Sequence, residues 1–265
     1  MSDAPPDRQP QAAVPPRTLW PIWFPDVVVH TDLALRDSHS LFAAAKAGDS
    51  EAALTLAESL LSAAATEALR QIIDGRDAIL LPITAIETAG FNAIPDAMAQ
   101  VLARELALGV HAGQIVQSNR VGHTRAPSFH RLVTPASFDG EVLDGAAYVL
   151  VDDHVGLGGT LANLKGYVES HGATVIAMTT LTETRGARHI ALRRDTLNVL
   201  VGRHGGQLQT FWQGQFGHGL EHLTELECGV LGREPSLDAI RDRLAQAAVE
   251  ARGRGLRPAV DPGDN

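Results

Sequence analysis

One segment constrains the fold of this chain more than any other, the run YVLVDDHVGLGGT from Tyr148 to Thr160. Its apolar first half is typical of a strand buried in a parallel sheet. Two adjacent carboxylates, Asp152 and Asp153, come next, followed by a glycine-rich turn and a helix-forming segment. Ligands of open α/β sheets bind beyond the carboxyl ends of the strands. The run therefore predicts a binding site at a strand–turn–helix junction.

Such a junction combines two kinds of binding chemistry. Backbone N–H groups at the turn and at the helix N-terminus favour an anion such as phosphate. The two carboxylates favour hydroxyl groups, or a metal ion that a ligand brings with it. A ligand with one phosphate, adjacent hydroxyls and a magnesium-bound pyrophosphate would satisfy all of these groups.

The segment resembles the phosphoribosyl pyrophosphate (PRPP) signature of type I phosphoribosyltransferases, in which an apolar strand and two acids precede a loop ending Thr-Gly-Gly-Thr. Asp152 and Asp153 match the acids, and Gly158, Gly159 and Thr160 match the end of the loop. The fixed register of acids and glycines makes the match more specific than a lone GxGxxG. Leucine stands at position 157, where the family usually has its first threonine, so one phosphate-binding hydroxyl is missing.

The resemblance implies a doubly wound, mainly parallel α/β sheet with helices on both faces, an N-terminal helical arm and a C-terminal hood-like segment. It implies that Asp152 and Asp153 are catalytic, binding the ribose 2- and 3-hydroxyls and stabilising positive charge on the ribose as pyrophosphate leaves. The cofactor would be Mg²⁺, held mainly by PRPP and not directly by the protein. The implied 5-phosphate loop consists of Gly156, Leu157, Gly158, Gly159 and Thr160.

A second loop of the implied site follows the first core strand, which we predict at Ala78–Pro82. In the family the corresponding loop contacts pyrophosphate, but here it lacks Lys and Arg. The contact would then use backbone N–H groups and hydroxyls. An ordinary strand-to-helix connection is the alternative. The residues assigned to this loop are Pro82, Ile83, Thr84, Glu87 and Thr88.

A basic segment precedes the signature strand. The stretch from Leu106 to Phe138 contains no Asp or Glu, although the chain has a formal net charge of −9. Long loops in compact domains usually carry function or are disordered, and the resemblance predicts a mobile catalytic flap here. A solvated basic loop or a subunit contact is the alternative. The assigned flap residues are Arg120, His123, Arg125, His130 and Arg131, with His123 and Arg125 as catalytic groups.

The rest of the chain is divided by composition and periodicity. We predict a disordered tail over 1–17, an arm with helices over 18–75, the α/β domain over 76–250 and a flexible tail over 251–265. The apolar run Leu19–Phe24 would pack onto the core or dock a subunit. Residues 197–200 form either a short strand or part of a helix from Ile190. The other predicted elements are helices within Ser38–Ile73, a helix over Pro95–Leu108, strands over Gln114–Gln117 and Thr174–Thr180, and an irregular region over Ser118–Gly145.

Composition excludes several classes of protein. The negative net charge argues against a general nucleic-acid binder. The single cysteine, Cys228, fits a reducing cytoplasm, and we expect it to be a small buried apolar residue. No apolar run approaches the length of a membrane span, and the N-terminus does not resemble a signal peptide. A cytoplasmic homodimer is expected.

Three functions are compatible with these observations. The first is Mg-dependent transfer of the 5-phosphoribosyl group between PRPP and a nitrogenous base. The second is a non-catalytic, PRPP-sensing regulator of the same fold. The third is a zinc hydrolase, since His218, Glu221 and His222 match H-x-x-E-H. Aromatic residues before that motif, Phe211, Trp212 and Phe216, would stack on a base or pack in the core.

Overall fold

The computed structural model describes residues 14–87, 90–121 and 126–259. Its strands are β1 (Val28–Val29), β2 (Ala78–Pro82), β3 (Ile86–Glu87), β4 (Gly90–Phe91), β5 (Gly109–Val110), β6 (Ile115–Gln117), β7 (Phe138–Gly140), β8 (Ala147–Val155) and β9 (Thr174–Glu183). Its α-helices are α1 (Leu33–Ser38), α2 (Phe42–Lys46), α3 (Ser50–Leu60), α4 (Ala63–Ile73), α5 (Ile94–Leu106), α6 (Ser128–Val133), α7 (Gly159–Ser170), α8 (Arg194–Phe216), α9 (Glu225–Gly232) and α10 (Leu237–Gly253). A 3₁₀ turn covers Leu220–His222.

The central sheet has the strand order β1-β9-β8-β2-β5, and every neighbouring pair is parallel. The chain passes from β2 through α5 to β5 on one side, and from β8 through α7 to β9 on the other. The connections therefore diverge between β2 and β8, which makes this the topological switch point where ligands of such sheets bind. The predicted doubly wound parallel fold is confirmed.

Helices cover both faces of the sheet because side chains alternate along each strand. Leu80 of β2 and Val149 of β8 lie in one apolar cluster with α3, α4 and α5. Their neighbours Leu81 and Leu150 lie in a second cluster with Leu161 and other residues of α7. The two clusters hold β2 and β8 between helix layers and fix the ends of both strands.

A third apolar cluster joins α6 to α8, α9 and α10, with Trp212 and Phe216 buried in it. The two rings stack with centroids 4.0 Å apart. Of the two roles expected for these rings, stacking on a base or packing in the core, the structure shows packing in the core. Phe211 lies at the edge of this cluster under the guanidinium of Arg241. Cys228 is buried in the same cluster, as expected.

Of two element predictions between α5 and β8, one is confirmed and one is wrong. The predicted strand Gln114–Gln117 is present as β6, although it pairs antiparallel with β7 outside the main sheet. The main-sheet strand is β5, whose two exposed residues are too few to give an apolar period. The predicted irregular region, Ser118–Gly145, contains both α6 and β7. Helix α6 forms because Phe129, Leu132 and Val133 bury one face against the third cluster.

Boundaries elsewhere also differ from prediction. Residues 197–200 lie within α8, so the strand alternative is wrong and the helical one holds, with its start at Arg194. The expected loop after β2 contains the short hairpin β3–β4. Trp20 and Phe24 pack on the second cluster, whereas Ile22 and Trp23 are exposed.

Parts of both predicted tails are docked. In the N-terminal tail, Arg17 is buried and ion-paired with Glu227 of α9. In the C-terminal tail, Ala259 is buried and its N–H donates to the carbonyl of Val133 at 2.8 Å. Composition marks these segments as polar, but long-range contacts hold parts of them on the domain. Residues 1–13 and 260–265 lie outside the described ranges.

Within the part of the chain that the structure describes, no single helix has the length and hydropathy to cross a membrane. The pair α3 and α4 passes that test only when taken together, with a bend of 87° between the two helices.

Candidate functional site

The two loops that the sequence assigns to the site lie side by side at the switch point. Strand β2 ends at Pro82, which pairs with Val151 of β8, and the N–H of Ile83 donates to the Val151 carbonyl at 2.9 Å. Beyond Val151, β8 continues to Val155 and pairs only with β9. Asp152 and Asp153 therefore lie on a free strand edge next to the loop after β2. They are inside the strand, not in the bend after it, because the pairing with β9 extends the strand.

Asp153 is buried and forms an ion pair that the sequence does not predict. The Nζ of Lys46, at the end of α2, lies 2.7 Å from its Oδ2. Lys46 comes 107 residues earlier in the chain, and nothing in its local sequence marks it as part of the site. Only the tertiary packing of α2, whose Ala45 lies in one apolar cluster with Val151 of β8, brings the two charges together.

The two carboxyl groups have opposite pKa shifts. Burial, followed by the neighbouring charge of Asp153, raises the pKa of Asp152 well above its usual value. Burial alone would also raise the pKa of Asp153, but the charge and hydrogen bond of Lys46, together with the hydrogen bond from Asp152 and the charge of Arg36, lower that pKa. The pair thus keeps one firmly ionised carboxylate beside one that protonates readily. Such a pair can both accept from and donate to vicinal hydroxyls of a sugar.

The turn after β8 leads directly into the N-terminus of α7, where Gly158 is buried and Gly159 and Thr160 are half-buried. Gly158 has a φ of 86°, a left-handed conformation that favours glycine, and no side chain caps the helix. Among the described residues, the N–H groups of Gly158, Gly159 and Thr160 make no hydrogen bond. Unsatisfied N–H groups at a helix N-terminus form an anion-binding arrangement.

The C-terminal helices cover one side of this turn. The hydroxyl of Thr224 donates to the Leu157 carbonyl at 2.5 Å, and the Leu157 side chain packs on the third apolar cluster. A Cβ at Gly158 would lie 3.1 Å from side-chain atoms of Ile190 and Thr224. Leucine at position 157 therefore has a packing reason, because its side chain faces an apolar cluster.

The flap candidates do not come together at one place. Arg120 is exposed. His130 is buried in α6 with its Nε2 3.1 Å from the Val121 carbonyl, so its expected place on a mobile flap is wrong. Arg131, in the same helix, reaches the turn and lies over Gly156. His123 and Arg125 lie outside the described residues.

The residues of the expected pyrophosphate loop are also partly inaccessible. The side chain of Ile83 is buried in the second apolar cluster. Thr84 bridges to Val116, and its Oγ1 is buried with no hydrogen-bond partner in the described part of the chain. Pro82 has no N–H and the N–H of Ile83 already donates to the Val151 carbonyl, so neither residue offers the backbone donor that a pyrophosphate contact was expected to use. Thr88 and the side chain of Glu87 lie outside the described residues.

The H-x-x-E-H motif does not form a helix with both histidines on one face. It falls in a 3₁₀ turn, and burial followed by the nearby charge of Arg17 lowers the pKa of His218 to about 4. The ring of His222 is 5.7 Å from that of His218, centroid to centroid. Nowhere in residues 14–87, 90–121 and 126–259 do three or more His, Cys, Asp or Glu side chains form a group suited to a metal ion.

A second buried ion pair lies behind the turn. Arg17 donates to both carboxylate oxygens of Glu227, at 2.5 and 2.9 Å, and to the Asn163 side chain of α7 at 2.7 Å. Glu227 in turn completes the N-terminal capping box of α9 with Thr224. The sequence gives no signal for this contact beyond the capping pattern itself.

Comparison with known proteins finds two curated relatives. The chain is 42% identical to the protein TraN of Escherichia coli over 231 residues, which are 87% of this chain and 51% of TraN. It is 40% identical to an uncharacterized protein of Haemophilus influenzae over 152 residues, 57% of this chain and 34% of that protein. The chain thus spans about half the length of the first relative and a third of the second. No family model matches.

Among solved structures, the chain is similar to adenine phosphoribosyltransferases. One matches 52% of this chain and 71% of its own length, with 15% identity and a TM-score of 0.31. The enzyme from Rhodothermus marinus matches 46% of this chain and 67% of its own length, with 17% identity and a TM-score of 0.30.

Proposed function

We propose that the chain is a phosphoribosyltransferase. It binds PRPP where β8 meets α7 and transfers the 5-phosphoribosyl group between PRPP and a nitrogenous base, as in nucleotide salvage or synthesis. The observation that carries this proposal is the junction itself. The acid pair Asp152 and Asp153 and the uncapped N-terminus of α7 stand together at the topological switch point.

Different residues of the junction would act on different parts of the substrate. The bond from ribose C1 to the pyrophosphate oxygen breaks, and a bond from C1 to a nitrogen of the base forms. The carboxylate of Asp153 and the carboxyl of Asp152 would bind the ribose hydroxyls. The negative charge of Asp153 would also stabilise positive charge on the ribose ring in the transition state. The N–H groups of Gly158, Gly159 and Thr160 would hold the 5-phosphate.

Magnesium fits this site as an ion that PRPP brings with it. Asp153 already has a cation, Lys46, and no cluster of three acidic or histidine ligands exists in the described ranges. Mg²⁺ usually keeps several waters and needs few protein ligands. When bound to PRPP it would neutralise charge on the leaving pyrophosphate. A cytoplasmic location and a homodimer stay predictions.

A PRPP-sensing protein of the same fold is the second candidate. Two contacts favour it, because both engage groups that PRPP would use. Lys46 neutralises Asp153, and the cluster around Thr224 holds Leu157 where a phosphate-binding hydroxyl is expected. A sensor would bind PRPP tightly and release no pyrophosphate.

The experiment that tests the proposal is pyrophosphate release from PRPP and Mg²⁺ in the presence of a panel of nucleobases. We expect release with at least one base, and its loss when Asp152→Asn and Asp153→Asn are combined. The exposed Asp242→Asn of α10 is the matched control, and circular dichroism checks the fold. Binding of PRPP without release would favour the sensor. Absence of PRPP binding would exclude both functions.

A further inference from the structure

The guanidinium of Arg131 lies close to the turn after β8. A Cβ placed on Gly156 would overlap Nη1 of Arg131 and lie 3.4 Å from its Cζ. The φ of Gly156 is not in the left-handed region, so the backbone there does not require glycine. The absence of a side chain at position 156 instead makes room for the guanidinium.

The guanidinium of Arg131 lacks an anionic partner in the described part of the chain. Its Nε donates to the carbonyl of Ala126 at 3.3 Å, and its two Nη groups make no hydrogen bond there. The residue is partly buried, and this burial lowers the pKa of Arg131. A partly desolvated cation without a carboxylate is costly unless an anion binds beside it.

The position of Arg131 is fixed by its helix. Phe129, Leu132 and Val133 of α6 are buried in the third apolar cluster, which leaves Arg131 on the side that faces the turn. A residue held in this way differs from the flap residue expected from the sequence, because it is in place before the substrate arrives. It also lies at the turn after β8 and not at the loop after β2.

We propose that Arg131 binds the 5-phosphate of the sugar and supplies the contact that the missing threonine hydroxyl at position 157 would have made. This inference rests on the proposed function and names a phosphate-binding residue within the same site. A guanidinium can donate two parallel hydrogen bonds to phosphate oxygens, which one hydroxyl cannot do. The N–H groups of Gly158 and Gly159 would bind the other oxygens of the same phosphate.

The test compares two ligands by calorimetry with the full chain: ribose 5-phosphate, which lacks the pyrophosphate, and magnesium pyrophosphate. Arg131→Gln should weaken ribose 5-phosphate binding on the order of tenfold or more, as expected for loss of a charge-assisted contact. Its affinity for magnesium pyrophosphate should change less than twofold. The control is Arg104→Gln, an exposed arginine of α5 that pairs with Glu58.

A double-mutant cycle with Gly156→Ala makes the test sharper. The added Cβ should displace the Arg131 guanidinium and weaken ribose 5-phosphate binding in the wild-type background. In the Arg131→Gln background the same change should have a much smaller effect, because the group that it displaces is gone. Equal effects in both backgrounds would mean that the two residues act independently.

The outcomes separate this inference from the proposed function. If the wild type binds ribose 5-phosphate and Arg131→Gln binds it equally well, the role of Arg131 is wrong and the function stands. If Arg131→Gln weakens magnesium pyrophosphate and not ribose 5-phosphate, Arg131 serves the leaving group. If the wild type binds neither ligand, both the inference and the proposed function are wrong. Thermal unfolding of each variant confirms that it is folded.

Discussion

Replacing Lys46 with methionine should destabilise the protein in a pH-dependent way. The change keeps most of the side-chain volume but removes the cation 2.7 Å from Asp153. The exposed fractions of the two side chains are 22% for Lys46 and 9% for Asp153. Breaking a fully buried ion pair costs about 3–5 kcal/mol. Because Lys46 keeps some contact with solvent, we expect a loss of about 2–3 kcal/mol at neutral pH.

The pH dependence follows from the pKa of Asp153. In the wild type Lys46 holds this pKa below its unfolded value, so the ion pair stabilises the fold above the unfolded pKa and the contribution is lost as the pH falls through the folded pKa. Without Lys46, burial would raise the pKa of Asp153. Protonation of Asp153 would then remove the unpaired buried charge of the variant as the pH falls. The stability difference should therefore shrink from pH about 7.5 to pH about 4.5.

Urea unfolding followed by tryptophan fluorescence at these two pH values measures the effect. The matched control is Arg104→Met, since Arg104 and Glu58 are 2.8 Å apart but 62% and 50% exposed. We expect less than about 1 kcal/mol for the control. Lys46→Met should cost much less in an Asp153→Asn background. A loss that does not change with pH, or one equal to that of the control, would refute the reasoning.

Two further predictions concern the turn and the N-terminal segment. Leu157→Thr should lower the free energy of unfolding by about 1–2 kcal/mol, because the leucine side chain is lost from the third apolar cluster. The new hydroxyl should tighten ribose 5-phosphate binding several-fold. Unchanged affinity in calorimetry would contradict the idea that a hydroxyl at position 157 binds the phosphate. Gly166→Ala in α7 should loosen the N-terminal segment and speed its proteolysis, because the added Cβ would lie 2.7 Å from the Arg17 Cα. Gly229→Ala of α9, with nothing within 4 Å of its Cβ, is the control; equal protection in both variants would show that the segment is not docked at Gly166.

Local signals in the sequence were sufficient for the elements that build the junction. The apolar run of β8 and the helix-forming segment after the glycine-rich turn were predicted from neighbouring residues, and the structure has both elements. Elements that are short, or that form only through contacts with distant residues, could not be predicted in this way. Strand β5 has only two residues, and α6 is stabilised by a cluster whose other members lie far along the chain. Neither leaves a period that can be recognised in a short window.

The contacts of the site also fall into those that follow from the sequence and those that depend on tertiary packing. Asp152, Asp153 and the glycines of the turn are consecutive, so their relation follows from strand and turn geometry, and the chain order alone determined it. The partners of these groups come from distant segments: Lys46 for Asp153, Arg131 for Gly156, and Thr224 for Leu157. Only tertiary packing decided those contacts, because the docking of distant segments, and not spacing along the chain, brings each of these groups to its partner.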